Sequence, residues 1–474
     1  VYPERENFTG NTINGLPLIV TSHRGSSAFN LSPYQGELQK AGSIIQYGYD
    51  NEVIKPYYYS VDLDDDGMYV QYAPSHQSGI YQIDFSQTDK PAYLIFNTRN
   101  GELKTDGKSI SGYQKLGNHT QVYIYLETDQ QPLKIGTHQG AVIRTTDKST
   151  QGHNAYYILE YPKGTASVLL RYGVSFISSE QAKQNLRREI KNYNLQAVAD
   201  KGRSVWNETL GKIFVKGGTE NEKTVFYTSL YRTYERMICI SEDGRYFSAY
   251  DGQVHDDEGI PFYVDDWIWD TYRATHPLRL IIETEMESNM VNSLIRMAYQ
   301  MQPNWMPTFP EINGDSRRMN CNHGVATVLD AYNKGMRSFD LAKAYQVCKA
   351  AITEKTLAPW SSKPAGVLDQ FYKDHGYFPA LAVGEQETVP EVHSWERRQP
   401  AAVTLGTVYD EWCLGNIAQA LGDKKEADYF LKRSLNYHKI FNKETCFFHP
   451  KDSFGNFIQP FDYRYSSGVG GRDA

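Results

Sequence analysis

What most constrains this chain is a change in the period of its apolar residues near residue 178. Before that point, short apolar stretches are punctuated by turn residues. Tyr57–Leu63, Met68–Ala73, Ile80–Phe85, Ala92–Asn97, Gln121–Glu127, Ala141–Thr145, Ala155–Tyr161 and Ser167–Phe176 read as strands. Asp66-Gly67, Asn100-Gly101 and Asp106-Gly107 are pairs that tight turns favour, because glycine takes a positive φ without strain. Many short strands at this spacing predict an antiparallel β-sandwich over residues 1–178.

Beyond it the period becomes helical. Ser179–Leu210 is charged and reads as a helical connecting segment. From Thr219 the residues Phe226, Leu230, Tyr234 and Met237 recur at helical spacing. Helices are expected over Asp270–Met301, Val325–Lys334, Asp340–Lys355, Thr404–Leu421 and Lys424–Phe441. Leu405, Val408, Tyr409 and Trp412 form one stripe, and Ala427, Phe430, Leu431 and Leu435 another. Gly335 and Gly422 sit at helix ends, and Ser338 and Asp423 are placed to cap the next helices. Helical pairs joined by long polar loops over residues 211–474 fit an α/α toroid or a solenoid. The chain closes on Gly470-Gly471-Arg472-Asp473-Ala474, a loop sequence with no closing helix, which reads as truncation.

A length of 474 residues exceeds what one hydrophobic core organises, so two domains or more are expected. The net charge of −7 argues against a nucleic-acid partner, which would need a basic face. No apolar run approaches the ~18 residues of a membrane span. The 36 tyrosines serve strands first, but aromatic rings with polar rims also suit sugar surfaces. Five scattered cysteines without a CxxC pair leave no structural zinc motif; free thiols are expected, with a disulfide as the alternative.

Chemistry concentrates in three loops of the second half. The first is Asp265-Asp266-Trp267-Ile268-Trp269-Asp270-Thr271-Tyr272-Arg273, where acids and indoles would stand at a helix mouth; an acidic helix cap is the plainer explanation. The second runs from Pro303 to Gly324 and holds Asn304-Trp305 and Asn320-Cys321-Asn322-His323. A loop this long inside a compact domain is usually functional, although a lone histidine is more often structural. The third spans Glu385–Glu411, with Glu396, Asp410 and Glu411 among its acids. Paired carboxylates are what glycoside hydrolysis demands. Acids on helices are, however, mostly solvated. No nucleophile elbow, P-loop or HExxH helix competes.

These clusters resemble the signatures of glycoside hydrolase family 92. Asn51-Glu52-Val53 followed by Tyr57-Tyr58-Tyr59-Ser60 is similar to its "NEVAxPGYY", and Phe226-Tyr227-Thr228-Ser229-Leu230-Tyr231-Arg232 to its "FYTALYR". Trp269-Asp270-Thr271-Tyr272-Arg273 with His276-Pro277-Leu278 resembles "WDTFRxxHPL". Asp330–Gly335 and Tyr409-Asp410-Glu411-Trp412-Cys413 follow in order. The resemblance implies an α+β two-domain chain, a β-sandwich followed by a partial (α/α)6-type barrel. It also implies a secreted or periplasmic, inverting, calcium-assisted exo-α-mannosidase. It places Trp269, Asp270 and His323 at the sugar, with Arg273 supporting the site, and makes a glycan the partner; Trp305 and Asn322 of the second loop are further candidates for substrate binding.

Two departures matter. Where the family reads "TLEYAYDD", this chain reads Thr404-Leu405-Gly406-Thr407-Val408-Tyr409-Asp410-Glu411, so Gly406 stands at the position of the general acid. Glycine cannot donate a proton. Either Asp410, Glu411 or Glu396 takes over, or the leaving group needs no acid (a phosphate, for example), or the protein binds glycans without hydrolysing them. The second departure is extent. The family's calcium ligands and catalytic base are expected outside residues 1–474, leaving the metal site of this chain unassigned.

Overall fold

The computed structural model describes residues 12–20, 27–64, 67–86, 89–117, 119–382 and 384–461. The turn expected at Asp66-Gly67 lies partly outside them, and the terminal Gly470–Ala474 stretch lies wholly outside. The chain divides into two compact units, residues 1–231 with 245–255, and residues 232–244 with 256–474.

The first unit is built on an antiparallel sheet of 14 strands. Its longest strand, Ala92–Thr105, pairs with Ser149–Tyr161, Ser109–Gly117 and Ser27–Tyr34. Alternation sets the faces. In Thr120–Thr128, Val122, Ile124 and Leu126 are buried, while Tyr123 and Tyr125 between them are half-exposed. The sheet folds back as a second layer, because the Tyr81 and Tyr172 hydroxyls donate to the carbonyls of Pro17 and Leu18 on the remote strand Leu16–Val20. The expected antiparallel β architecture is therefore present.

The turn expected at Asn100-Gly101 is absent. Asn100-Gly101 lies inside Ala92–Thr105, and a Cβ at Gly101 would stand 1.8 Å from the Tyr113 carbonyl. Glycine is there for close strand approach rather than for a bend. Asp106-Gly107 is a turn, with Asp106 Oδ1 accepting from the Lys108 and Ser109 amides.

Helices α1 (Ser179–Glu189) and α2 (Leu195–Leu210) pack on this sheet. The segment read as a connector instead buries Leu186, Ile190, Leu195 and Ala199 against Ala73 and Ile80 of the sheet. Helix α3 (Glu220–Arg232) follows.

The second unit is helical. In place of one helix over Asp270–Met301 the chain forms α4 (Ile268–Thr271), α5 (Thr275–Ile282) and α6 (Thr284–Gln300). Then come α7 (Gly324–Asn333), α8 (Leu341–Thr353), α9 (Val367–His375), α10 (Pro400–Ala420) and α11 (Lys424–Arg433). Asp423 caps α11 as expected, but Asp340 rather than Ser338 caps α8. Helix α10 is the hub and packs on α7, α8 and α11. It is apolar nearly all round, as a buried helix should be, with Val403, Val408, Leu414 and Ile417 in the core. Tyr409 and Trp412, expected on the same stripe as Val408, are instead exposed and stack on each other. All five cysteines are free. No described helix is long and apolar enough to cross a membrane.

Candidate functional site

Three loops of the helical unit meet through one hydrogen-bonded path. Helix α4 carries Trp269, whose Nε1–H donates to Asn320 Oδ1 at 3.2 Å. Asn320 Nδ2 donates to Gln399 Oε1 at 2.7 Å, and Gln399 Nε2 donates to Glu396 Oε2 at 2.7 Å. The indole of the first cluster, the amide of the second and the carboxylate of the third are thus held together. A second path runs beside it. His323 Nδ1 donates to Asp410 Oδ1 at 2.7 Å, and the Asn322 amide donates to Asp410 Oδ2 at 2.8 Å. Tyr272 lays its ring 4.3 Å from that of His323. Arg273 lies over Trp269 and Tyr272, 5.1 and 5.4 Å from the ring centres.

Both loops are strained where they meet. Arg317, Met319 and Cys321 all have positive φ on one side, and Arg397 and Gln399 on the other. Side chains other than glycine rarely sit there, and such outliers collect at functional sites because the surrounding contacts must hold them. Gln399 then yields to Pro400 at the first turn of α10, where a missing N–H costs nothing.

The sequence-derived residues separate into groups. Trp269, Arg273, Asn322, His323, Asp410 and Glu396 belong to the two paths. Asp270 stands exposed beside Arg273; burial and Asp266 raise its carboxyl, and Arg273 only partly offsets them. Glu411 points elsewhere. Tyr372 Oη donates to it at 2.9 Å and Arg433 Nε at 2.6 Å. Burial still raises its pKa. Trp305 is only 6% exposed and lies in the core, next to Met306, whose carbonyl accepts from Asn322 Nδ2 at 2.9 Å. Tyr272, Asn320 and Gln399 were not singled out by sequence. All three lay inside the clusters, but nothing local distinguished them, and Gln399 offered only its place before a proline.

Also unforeseen is the buried support beneath the first loop. His276 Nε2 bonds Asp266 Oδ2 at 2.8 Å, and its Nδ1 bonds Glu287 Oε1 at 2.7 Å. Burial alone would push this imidazole down, but the two carboxylates outweigh it and push it up to about 10. The same contact, with help from Thr271, holds Asp266 below its usual value against the effect of burial. Neighbouring Asp265 pairs with Arg236, yet burial pushes it up to about 6. Behind Asp410 a small cleft is lined by Thr308, Cys321, Asn322 and Lys355. Lys355 donates to Thr308 Oγ1 at 2.8 Å, and burial lowers its amine to about 8.

Among the described residues no three His, Cys, Asp or Glu side chains gather in a way that would hold a metal ion. No such cluster therefore marks where the calcium that the resemblance implies would sit.

Known proteins agree with this architecture. Residues 7–175 match the glycosyl hydrolase family 92 N-terminal domain and residues 181–473 its catalytic domain. The chain belongs to glycosyl hydrolase family 92. A family GH92 inverting mannosidase of Bacteroides thetaiotaomicron superposes with a TM-score of 0.79 at 25% identity, covering 92% of this chain and 58% of that one. A second family GH92 α-mannosidase of that organism shares the fold at a TM-score of 0.84 and 21% identity, covering 98% and 64%. An uncharacterized secreted glycosidase of Arthroderma benhamiae is 23% identical over 98% of this chain and 61% of its own length. The chain thus spans about 60% of the length of the relatives it matches.

Proposed function

We propose that this protein is a secreted or periplasmic glycoside hydrolase that acts on a terminal α-linked mannoside, or a close relative, with inversion. What carries the reading is the path Trp269–Asn320–Gln399–Glu396 lying beside His323–Asp410, all within one unit of a family 92 chain. A pyranose needs an aromatic face, hydrogen-bond groups for its hydroxyls and a carboxyl near the departing oxygen.

Each residue then has a role. Trp269, with Arg273 over its ring, offers the stacking surface. Asp410 is a positioning residue. Its oxygens are committed to His323 and Asn322, so it fixes the imidazole with Nδ1–H inward and turns Nε2 toward the ligand. Glu396 is the acid candidate, since Gln399 holds one of its oxygens in place. Glu411, bound by Arg433 and Tyr372, serves the fold.

Gly406 favours a second reading, a substrate whose leaving group needs no proton, such as a mannosyl phosphodiester. An unassisted sugar alkoxide leaves poorly, whereas a phosphate does not need the acid. The test is a panel of methyl α-mannoside, an aryl α-mannoside and a mannosyl phosphodiester, each with calcium and with chelator. Chelator-sensitive turnover of the first substrate supports a working acid. Turnover of the latter two alone supports the second reading. Saturable binding without turnover makes the protein a glycan-binding member of its family, and neither binding nor turnover overturns the proposal.

A further inference from the structure

Gly406 lies inside α10, a helix of 21 residues, where glycine weakens the helix relative to alanine and needs a reason. The reason is Cys321. A Cβ built on Gly406 would stand 2.0 Å from Cys321 Sγ and 3.1 Å from Cys321 Cβ. Rotating the thiol away would remove the first contact but not the second. The cysteine is itself held in an unusual place, with φ of 66°, a left-handed conformation in which glycine would be unstrained. Its thiol is 3.3 Å from Asn320 Oδ1, the oxygen that also accepts from Trp269, so it is tied into the site.

The location matters for the chemistry. Residues 406 and 410 are one helical turn apart and share a face. Asp410 holds His323, and the same built Cβ lies 3.6 Å from His323 Cε1. A side chain at 406 would therefore start beside the imidazole edge, where Cys321 now stands.

We propose that Cys321 and Gly406 are one coupled, specificity-determining pair. The cysteine side chain occupies the volume that a carboxyl at 406 would need, so an acid at that position is excluded through two residues together. The catalytic part of this inference rests on the family reading of position 406; the steric part does not. Burial, reinforced by the charge of Asp410, raises the Cys321 thiol well above its ordinary range, so the occupant is a neutral group and a poor proton donor at neutral pH. On the second reading above, this pair is what confines the enzyme to substrates whose leaving groups depart unaided. Restoring a carboxyl requires Cys321→Gly with Gly406→Glu. Gly406→Glu alone would collide with the cysteine.

A double-mutant cycle read by thermal unfolding tests the steric part without any need for activity. Gly406→Ala is expected to lower Tm by ~2–4 °C or more in the Cys321 background, against the better helix propensity of alanine. The loss should shrink with Cys321→Ala, which keeps the Cβ, and should vanish or reverse with Cys321→Gly. Equal Tm changes for Gly406→Ala in all three backgrounds would overturn the proposal. The second readout is the ratio of rates on methyl α-mannoside and mannosyl phosphodiester. Cys321→Gly/Gly406→Glu should raise it ~100-fold or more, the usual contribution of a positioned acid. A coupled cycle with an unchanged ratio leaves the steric pair standing but removes position 406 from the chemistry, so the two failures are distinguishable.

Discussion

The helical unit contains two histidines held by carboxylates, and they are built for opposite ends. His276 is 1% exposed and bonded at both ring nitrogens, to Asp266 and Glu287. Such a group is complete. It fixes the loop that carries Trp269 and has no valence left for a ligand. His323 is bonded to Asp410 through Nδ1, and no described group engages its Nε2. It stands against Tyr272 in the strained region where three loops meet. A histidine with both nitrogens spent is a fastener. One with a fixed tautomer and an open nitrogen is a tool.

The comparison can be broken most forcefully at the fastener. His276→Gln leaves two buried carboxylates without their cation, and should cost ~3–5 kcal/mol in urea unfolding. The difference between wild type and this variant should also depend on pH. Because the folded imidazole sits at about 10, above the ~6.5 of an unfolded histidine, its contribution is whole below pH 6.5 and is lost as pH rises through 10. A difference that grew across that window would contradict the assignment.

Asp410→Asn comes next. It keeps the shape but weakens the grip on His323, and should reduce α-mannoside affinity ~10-fold or more while costing ~1–3 kcal/mol of stability. The two glutamates sharpen the same contrast. Glu411→Gln disturbs the pair with Arg433 and should lower the unfolding free energy by ~1–3 kcal/mol without changing ligand affinity. Glu396→Gln should do the reverse, changing stability by no more than ~0.5 kcal/mol while reducing turnover. Smallest of all is Trp269→Phe, which keeps a ring but drops the indole N–H to Asn320. Calorimetry should show a loss of ~1 kcal/mol in binding.

How much of this was legible in the sequence depended on distance along the chain. The change from strand to helix period showed itself because periodicity is a local property, and so did the cap at Asp423 and the turn at Asp106-Gly107. Asn100-Gly101 misled because glycine has two uses, and only the neighbouring strand reveals which applies. The segment expected as one helix from Asp270 forms three, and the buried His276–Asp266 contact at this place joins residues whose pairing no local pattern shows.

In the site, clusters were visible but directions were not. Asp410 and Glu411 are adjacent in sequence, yet a helix turns ~100° per residue, sending one to His323 and the other to Arg433. Trp305, a candidate for substrate binding, is buried in the core, which its place in the second loop did not show. The relation of Gly406 to Cys321 joins residues 85 positions apart, and only the packed structure brings them together.

The most direct test of the account follows the side-chain nitrogens of both histidines by NMR, in protein carrying 15N-labelled histidine, as methyl α-mannoside is titrated. The account predicts that His323 Nε2 shifts in a saturable manner while both nitrogens of His276 stay where they are. Saturable binding that leaves His323 unmoved would place the sugar elsewhere and contradict the claim that these three loops form its site.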